Sequence, residues 1–192
     1  MPPHATHSDT NSAATSLVDH ALRALPPDYL ERNGRFFYSA ASTLQESPVY
    51  LLGLNPGGSP GEGTLREQIE LLPGRTKNAY LDECWKRRDG SEYEKGQKPL
   101  QRRVQWMLRK LDLDPASVPA SNLIFQRSRS QSQLEGGIRD QIKKCWCIHQ
   151  AVIGAIKPRA VIVFHLEGAR VLAEMLDASI SGSFPSGHAE WT

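Results

Sequence analysis

The chain has 192 residues, of which 39% are hydrophobic and 23% are charged, and its formal net charge is +2 at pH 7. This length and composition describe one soluble globular domain that is long enough to bury a substantial core. Because no apolar run approaches the roughly 20 residues that span a bilayer, a transmembrane protein is excluded and no membrane partner is expected.

The first fifteen residues lack the basic start and the apolar core of a secretory signal. We therefore predict a flexible tail over residues 1–15, a single domain over residues 16–192 and a cytoplasmic location. Three cysteines, Cys84, Cys145 and Cys147, make an odd number in a chain without an export signal, which argues against a disulfide framework. Free thiols are expected at these positions, and no metal or other cofactor is predicted.

Apolar residues recur at helical spacing from Leu17 to Leu25, which predicts an amphipathic helix that begins after Ser16 and ends at Pro26. The next segment is ambiguous, because residues 35–38 are compatible with a strand or with part of a second helix. The sequence leaves both alternatives open at this point.

The residues from Pro48 to Leu52 are apolar or aromatic, which predicts a short strand buried on both faces of a parallel sheet. A loop rich in glycine and proline follows and ends the strand, and Asn55 is its first polar side chain. Open α/β sheets bind ligands at the carboxyl ends of their strands, so this arrangement predicts a site at Asn55. The alternative is a simple connection, because Asn-Pro-Gly-Gly is also an ordinary turn composition.

Two further helices, and a short helical stretch between them, are predicted before the next strand. Thr64 begins a helix that runs to Leu72, with Glu67 at the third position of a capping box, and residues 78–88 are expected to add a helical turn or two. Pro99 begins a helix whose expected core-facing residues are Leu100, Val104, Met107, Leu108 and Leu111. Its opposite face carries Arg102, Arg103, Arg109 and Lys110.

The second half of the chain alternates strands and helices. Residues 122–125 predict a short apolar strand that ends in a polar loop, and residues 142–156 predict a long helix in which His149 is expected to be a satisfied helix residue. Residues 160–164 read as the clearest buried strand, followed by a helix over residues 168–176. This order predicts an α/β fold of three layers, α/β/α, with a central, mostly parallel sheet in a single domain.

Positive charge is concentrated in one segment. Between Lys86 and Lys110 there are nine basic residues against three acidic ones, and they are interleaved with Trp85, Tyr93 and Trp106. An excess of this size on a nearly neutral protein predicts an anionic polymer as partner. The alternative is a helix face that is merely solvated.

The pentapeptide Gly53-Leu54-Asn55-Pro56-Gly57 after an apolar strand resembles the first active-site motif of the uracil-DNA glycosylase superfamily. It is most similar to the mismatch-specific uracil/thymine branch and the single-strand-selective branch, which carry Gly-x-Asn-Pro-Gly. The resemblance implies hydrolysis of the N-glycosidic bond of uracil or another altered base that is flipped out of DNA. It also implies that Asn55 holds the attacking water, that the rest of the pentapeptide lines the substrate, and that Asn122 reads the edge of the base.

The segment Phe184-Pro185-Ser186-Gly187-His188 resembles the second active-site motif of the same superfamily. The resemblance implies that Ser186 contacts the substrate. Phe184 stands where a branch with a catalytic histidine would place that residue, so His188 is expected to act as its displaced substitute. The chain ends at Thr192, soon after this segment, so either the true second motif is absent or the domain is truncated at its C-terminus.

A flipped base needs an aromatic neighbour, and Tyr80 is the candidate, with a tyrosine of the core as the alternative. DNA is the expected partner of a monomeric protein. The residues expected to contact DNA are Arg87, Arg88, Arg102, Arg103, Arg127 and Arg129. Two alternatives stay open: a catalytically weak or inactive nucleic-acid-binding member of the same fold, and an unrelated α/β enzyme that acts on a small molecule.

Overall fold

A computed structural model of the protein describes residues 7–57, 63–87, 89–179 and 181. The helices in this part are α1 (His7–Ala24), α2 (Pro27–Leu30), α3 (Leu65–Glu70), α4 (Pro99–Lys110), α5 (Gly137–Ile156) and α6 (Leu166–Met175). The strands are β1 (Val49–Gly53), β2 (Ala120–Asn122) and β3 (Ala160–Val163). All three strands are parallel, and their order in the sheet is β2-β1-β3.

The central strand β1 divides the hydrophobic core into two parts. Side chains alternate between the faces of a strand, so Tyr50 and Leu52 lie on one face and Val49 and Leu51 on the other. The first pair packs with residues of α1, α3 and α5, whereas the second pair packs with residues of α4. Helices therefore flank both faces of one parallel sheet in a single domain, which confirms the predicted α/β class.

The outer edge of β2 is covered by an extended segment, residues 34–39, which runs antiparallel to it. The backbone N–H of Tyr38 donates to the carbonyl of Ala120 at 2.8 Å, and the N–H of Ala120 donates to Ser39 Oγ at 3.0 Å. At Gly34 a Cβ atom would lie 2.7 Å from the carbonyl oxygen of Phe125, so only glycine allows this close approach. The ambiguous segment of the sequence is therefore extended and not helical.

Two of the predicted helix starts can be compared with the structure. Helix α1 begins at His7, so it includes part of the segment that was predicted to be a tail, and Ala14 is fully buried in the core. Helix α3 begins after Thr64, whose hydroxyl accepts from the N–H of Glu67 while the Glu67 carboxylate accepts from the N–H of Thr64. The predicted capping box is thus confirmed. Residues 78–88 were predicted to form helical turns, but in their described part they form turns without a regular helix.

The predicted core face of α4 was partly wrong. Leu100 and Leu111 are 42% and 51% exposed, whereas Gln101 is completely buried. The Gln101 side-chain amide donates to the carbonyls of Ala79 at 2.7 Å and Glu83 at 2.9 Å. A polar residue faces the core here because these carbonyl oxygens of the irregular segment beneath α4 need a donor.

The boundaries of β2 and the burial of β3 also differ from the sequence-based predictions. Asn122 was expected to begin a strand but ends one, because it pairs with Gly53, the last residue of β1. In β3, Ala160 is exposed and the other residues are half-buried, although residues 160–164 were predicted as the clearest buried strand. The reason is that β3 pairs only with β1 within the described residues, so its other edge has no covering strand there.

The longest helices are α1 and α5, with 18 and 20 residues. Both are amphipathic, with one buried stripe and one polar face, as for helices that pack on a sheet. The periodicity of residues 142–156 correctly predicted α5 as a helix that ends before Pro158. Among the helices described here, none combines the length and the apolar composition that crossing a membrane would require.

His149 on α5 is fully buried and has both ring nitrogens paired, which confirms it as a satisfied helix residue. Its Nε2 lies 3.2 Å from the carbonyl of Leu123, so this nitrogen carries the proton, and its Nδ1 accepts from the Tyr50 hydroxyl at 3.0 Å. Burial lowers the pKa of His149 from 6.5 to about 4, because the charged ring would lose its hydration. His149 is therefore neutral in the folded protein at pH 7.

This lowered pKa predicts how stability depends on pH. The unfolded chain binds a proton at His149 below about pH 6.5, whereas the folded protein does so only near pH 4. Protonation of His149 in the unfolded chain should therefore lower the free energy of unfolding by about 2 kcal/mol between pH 8 and pH 5. Urea unfolding at both pH values, compared with His149→Gln, measures the effect. Equal pH dependence in the two proteins would contradict this assignment.

Candidate active site

Polar side chains follow the carboxyl ends of all three strands. Asn122 ends β2, Asn55 lies two residues beyond β1, and His165 lies two residues beyond β3. Because parallel strands end at the same edge of a sheet, these residues lie along one edge, which is called the carboxyl edge below. His165 was not singled out in the sequence, although its place directly after a predicted strand was a usable signal.

The side chain of Asn55 is held in one orientation. Its Nδ2 lies 2.9 Å from Ser128 Oγ, 3.0 Å from the carbonyl of Pro56 and 3.4 Å from the carbonyl of Ser128. Carbonyl oxygens only accept hydrogen bonds, so the atom that faces them must be the amide nitrogen. All of these contacts use Nδ2, and no described residue donates to Asn55 Oδ1. The half-buried amide thus keeps an acceptor available for a water or a substrate.

The loop that fixes Asn55 comprises residues 126–134 and is called the crossing loop. The Ser128 N–H donates to the carbonyl of Pro56 at 3.1 Å, and the Arg127 guanidinium donates to the carbonyl of Gly57. Further along, the Gln131 amide contacts His165 Nε2 at 2.7 Å, while His165 Nδ1 accepts from the first turn of α6. The crossing loop therefore spans from the end of β2 across β1 to the end of β3.

Backbone pairing between β1 and β2 continues into the candidate site. The N–H groups of Leu123 and Ile124 donate to the carbonyls of Gly53 and Leu54, each at 2.9 Å. The side chain of Leu54 packs against the larger core. These bonds hold the start of the pentapeptide rigidly against the segment that follows Asn122.

Asn122 is 4% exposed and packs directly against Gly53. A Cβ atom on Gly53 would overlap Asn122 Oδ1, so the missing side chain of the glycine provides the space for this amide. The Asn122 Nδ2 is buried and makes no hydrogen bond of normal geometry with any described residue. A buried donor without a partner costs about 1–3 kcal/mol, so this atom is a candidate to donate to a ligand.

An aromatic group lies next to Asn122. The rings of Tyr38, Tyr80 and Trp85 have centroids 5.8 to 6.3 Å apart. Burial raises the pKa of Tyr38, while the Arg35 charge and the neighbouring Asn122 side chain oppose the rise. Tyr80, the predicted stacking partner of a base, is 4% exposed and belongs to the core that packs under α4. The structure thus favours the alternative of a core tyrosine.

A buried ion cluster supports this aromatic group. Glu83 pairs with Arg35 and, at 2.9 Å, with Arg75, and the side chains of all three are at most 20% exposed. Burial alone would raise the pKa of Glu83, but the hydrogen bonds and charges of the two arginines outweigh it and lower the pKa. The Arg35 guanidinium also lies 4.5 Å from the centroid of Tyr38. Two cations against one carboxylate leave a net positive charge close to Asn122.

The remaining predicted site residues fall into three groups. Arg127 is half-buried against the pentapeptide, as described above, and Pro56 and Gly57 present their carbonyl oxygens to the crossing loop. The exposed arginines are Arg87, Arg102, Arg103 and Arg129. Arg88, Ser186 and His188 lie outside the described residues, so their predicted roles stay predictions.

No protein-family model matches the chain, and no curated protein matches it in sequence. The resemblance to the glycosylase superfamily consequently depends on the pentapeptide, on Asn122 and on the segment around Ser186. The described part of the chain contains no group of three or more histidine, cysteine or acidic residues that could hold a metal ion.

Because Gly53 and Asn122 are in contact, substitutions at these two positions should have non-additive effects on the free energy of unfolding. Gly53→Ala should cost about 1–3 kcal/mol in the free energy of unfolding, because the added methyl group overlaps the buried Asn122 amide, which must then shift. Combining it with Asn122→Ala removes the overlapping group, so the double variant should lose at least about 1 kcal/mol less than the sum. Urea unfolding of the four proteins measures this coupling. Strictly additive losses would show that the two residues are not in contact.

Proposed function

We propose that the protein is a DNA glycosylase that hydrolyses the N-glycosidic bond of uracil or another altered base flipped out of DNA. The observation that carries this proposal is the fixed amide of Asn55, whose Nδ2 is held by three oxygens while no described residue donates to its Oδ1 at the carboxyl edge. The pentapeptide resemblance assigns the attacking water to this same residue. In this proposal the protein acts as a cytoplasmic monomer.

In the proposed reaction a water bound to Asn55 Oδ1 attacks C1′ of the deoxyribose. The bond between C1′ and the base nitrogen breaks, and its electron pair leaves with the base. An amide is too weak a base to remove a proton, so Asn55 positions the water and aligns its attack on the sugar. The proton lost by the water ends on the departing base or in solvent, which leaves an abasic sugar and a free base.

Asn122 is suited to recognise the base. Its buried Nδ2 lies beside the Tyr38 hydroxyl but makes no hydrogen bond of normal geometry with a described residue, so a carbonyl oxygen of the base can accept from it. The positive charges of Arg35 and Arg127 act on the neighbouring Tyr38 hydroxyl. A base that leaves beside Asn122 gains negative charge in the same positive field, which favours its departure.

We propose that DNA approaches the candidate site along the first turn of α4. This end of α4 lies at the carboxyl edge, because Gln101 donates to the carbonyl of Glu83, and Glu83 pairs with Arg35 next to the end of β2. Arg102 and Arg103 are exposed there. In this proposal they contact phosphates of the DNA strand that carries the flipped nucleotide.

The role of Asn55 is tested by substitutions at two positions. Asn55→Ala should lower the rate of base release about a hundredfold and leave the fold and DNA affinity unchanged, because one well-placed polar group is lost. Ser128→Ala should lower it about tenfold, since Asn55 keeps its carbonyl acceptors but loses the closest oxygen. Ser128→Thr retains that oxygen and serves as the matched control. Single-turnover kinetics on a uracil-containing oligonucleotide measures all three.

An unchanged rate in Asn55→Ala would remove Asn55 from the mechanism, and equal losses in Ser128→Ala and Ser128→Thr would show that the Ser128 hydroxyl does not position Asn55. A parent protein that binds the oligonucleotide tightly but releases no base from any altered substrate would instead identify the catalytically inactive nucleic-acid-binding alternative.

The DNA contacts predict a change in salt dependence. Replacing Arg102 and Arg103 by alanine should weaken DNA binding at low salt and make the slope of log affinity against log salt shallower by about 0.7 to 0.9 per lost contact. A matched control removes two exposed charges on α5 and α6, Lys143→Ala with Arg170→Ala, on the other side of the sheet. Fluorescence anisotropy at several salt concentrations measures the slopes. The same slope for both double variants would refute contact of α4 with DNA.

A further inference from the structure

Trp106 lies on the side of α4 that does not contribute to the core. Helix α4 buries Gln101, Val104 and Leu108, and at 100° per residue Trp106 lies on the side opposite to these three residues. Its side chain is 57% exposed, in contrast to the half-buried Trp85 and Trp146. A large aromatic ring at the centre of a water-facing surface contributes little to the core and points to a binding role.

Four cations surround this ring. Arg102 and Arg103 lie one turn before Trp106, and Arg109 and Lys110 lie one turn after it, all on the exposed side of a helix that contains no acidic residue. The Lys110 Nζ lies 5.8 Å from the centroid of the indole ring. This combination of Trp106 with its four neighbouring cations is called the α4 face.

The α4 face leads away from the candidate active site. The N-terminal end of α4 lies at the carboxyl edge, whereas at the other end the following loop reaches Asn78, whose amide donates to the carbonyl of Pro115 at 2.9 Å. With a rise of 1.5 Å per residue, Trp106 lies about 10 Å along the helix from Pro99. A strand that follows α4 away from the carboxyl edge would therefore pass Trp106.

We propose that the α4 face binds unpaired nucleotides of a strand that leaves the carboxyl edge, with a base stacked on Trp106 and phosphates bound by the surrounding cations. This inference extends the proposed function, since it assumes that nucleic acid occupies the carboxyl edge. The bases of a duplex are hidden inside the helix, so a duplex can engage the cations but cannot stack on the indole ring. Exposed aromatic rings beside basic side chains are the usual means of binding single strands without sequence preference.

The test compares Trp106→Ala and Trp106→Phe with the parent protein. The matched control is Leu100→Ala, which removes another exposed apolar side chain from the same helix but outside the ring of cations. The probes are a labelled twelve-nucleotide oligothymidine, a labelled unmodified duplex of the same length, and a labelled peptide of alternating glutamate and leucine. Circular dichroism confirms that each variant keeps its helix content.

We expect Trp106→Ala to weaken oligothymidine binding about tenfold and to leave duplex binding unchanged, while Trp106→Phe retains most of the affinity. Leu100→Ala should bind like the parent. Equal oligothymidine affinity in Trp106→Ala and the parent would overturn the proposal, and so would a Trp106-dependent affinity for the acidic peptide alone, which would assign the face to a protein partner.

The result is separate from the test of the catalytic proposal. Trp106→Ala is measured by oligothymidine affinity and Asn55→Ala by base release, so the two proposals are tested at different residues by different measurements. If the parent releases no base but Trp106→Ala loses oligothymidine affinity, the catalytic proposal fails and the binding surface stands. If base is released and oligothymidine affinity is unaffected, the binding surface fails and the catalytic proposal stands.

Discussion

The candidate site depends on the contact between the Asn55 amide and Ser128, which joins the loops that follow two neighbouring strands. The residues are 73 positions apart in the chain, and only the parallel pairing of β1 with β2 brings them together. This contact decides which end of the Asn55 amide faces inward, and therefore whether an acceptor is left for a water. The crossing loop then continues to His165, so the same segment ties the ends of all three strands.

The rest of the site contains buried polar and charged side chains that are not fully paired with one another. Gly53 provides the space for Asn122, and the Asn122 Nδ2 makes no hydrogen bond of normal geometry with any described residue. Beside it, Glu83 holds Arg35 and Arg75 in a low-exposure cluster with an excess positive charge. Such an arrangement is costly for stability alone, and it becomes useful when a ligand brings an acceptor and a developing negative charge.

Local patterns predicted the local structure well, as β1, the Thr64 capping box and α5 show. Features that depend on long-range contacts could not be predicted in this way. Gln101 faces the core because carbonyls of a distant segment need its amide, and Ser128 reaches Asn55 only through strand pairing. Asn122 was predicted as a site residue but at the wrong end of its strand, because register is set by pairing with Gly53 and not by apolar residues alone.

Detection of the free base is the most direct test of the proposed glycosylase activity. The parent protein would be incubated with oligonucleotides that contain uracil, a thymine mismatch, hypoxanthine or a modified cytosine, and the released bases would be identified by mass spectrometry. We expect that at least one altered base is released, that alkali then breaks the strand at that position, and that Asn55→Ala releases almost none. Tight binding of all these oligonucleotides with no base released from any of them would contradict the proposed activity.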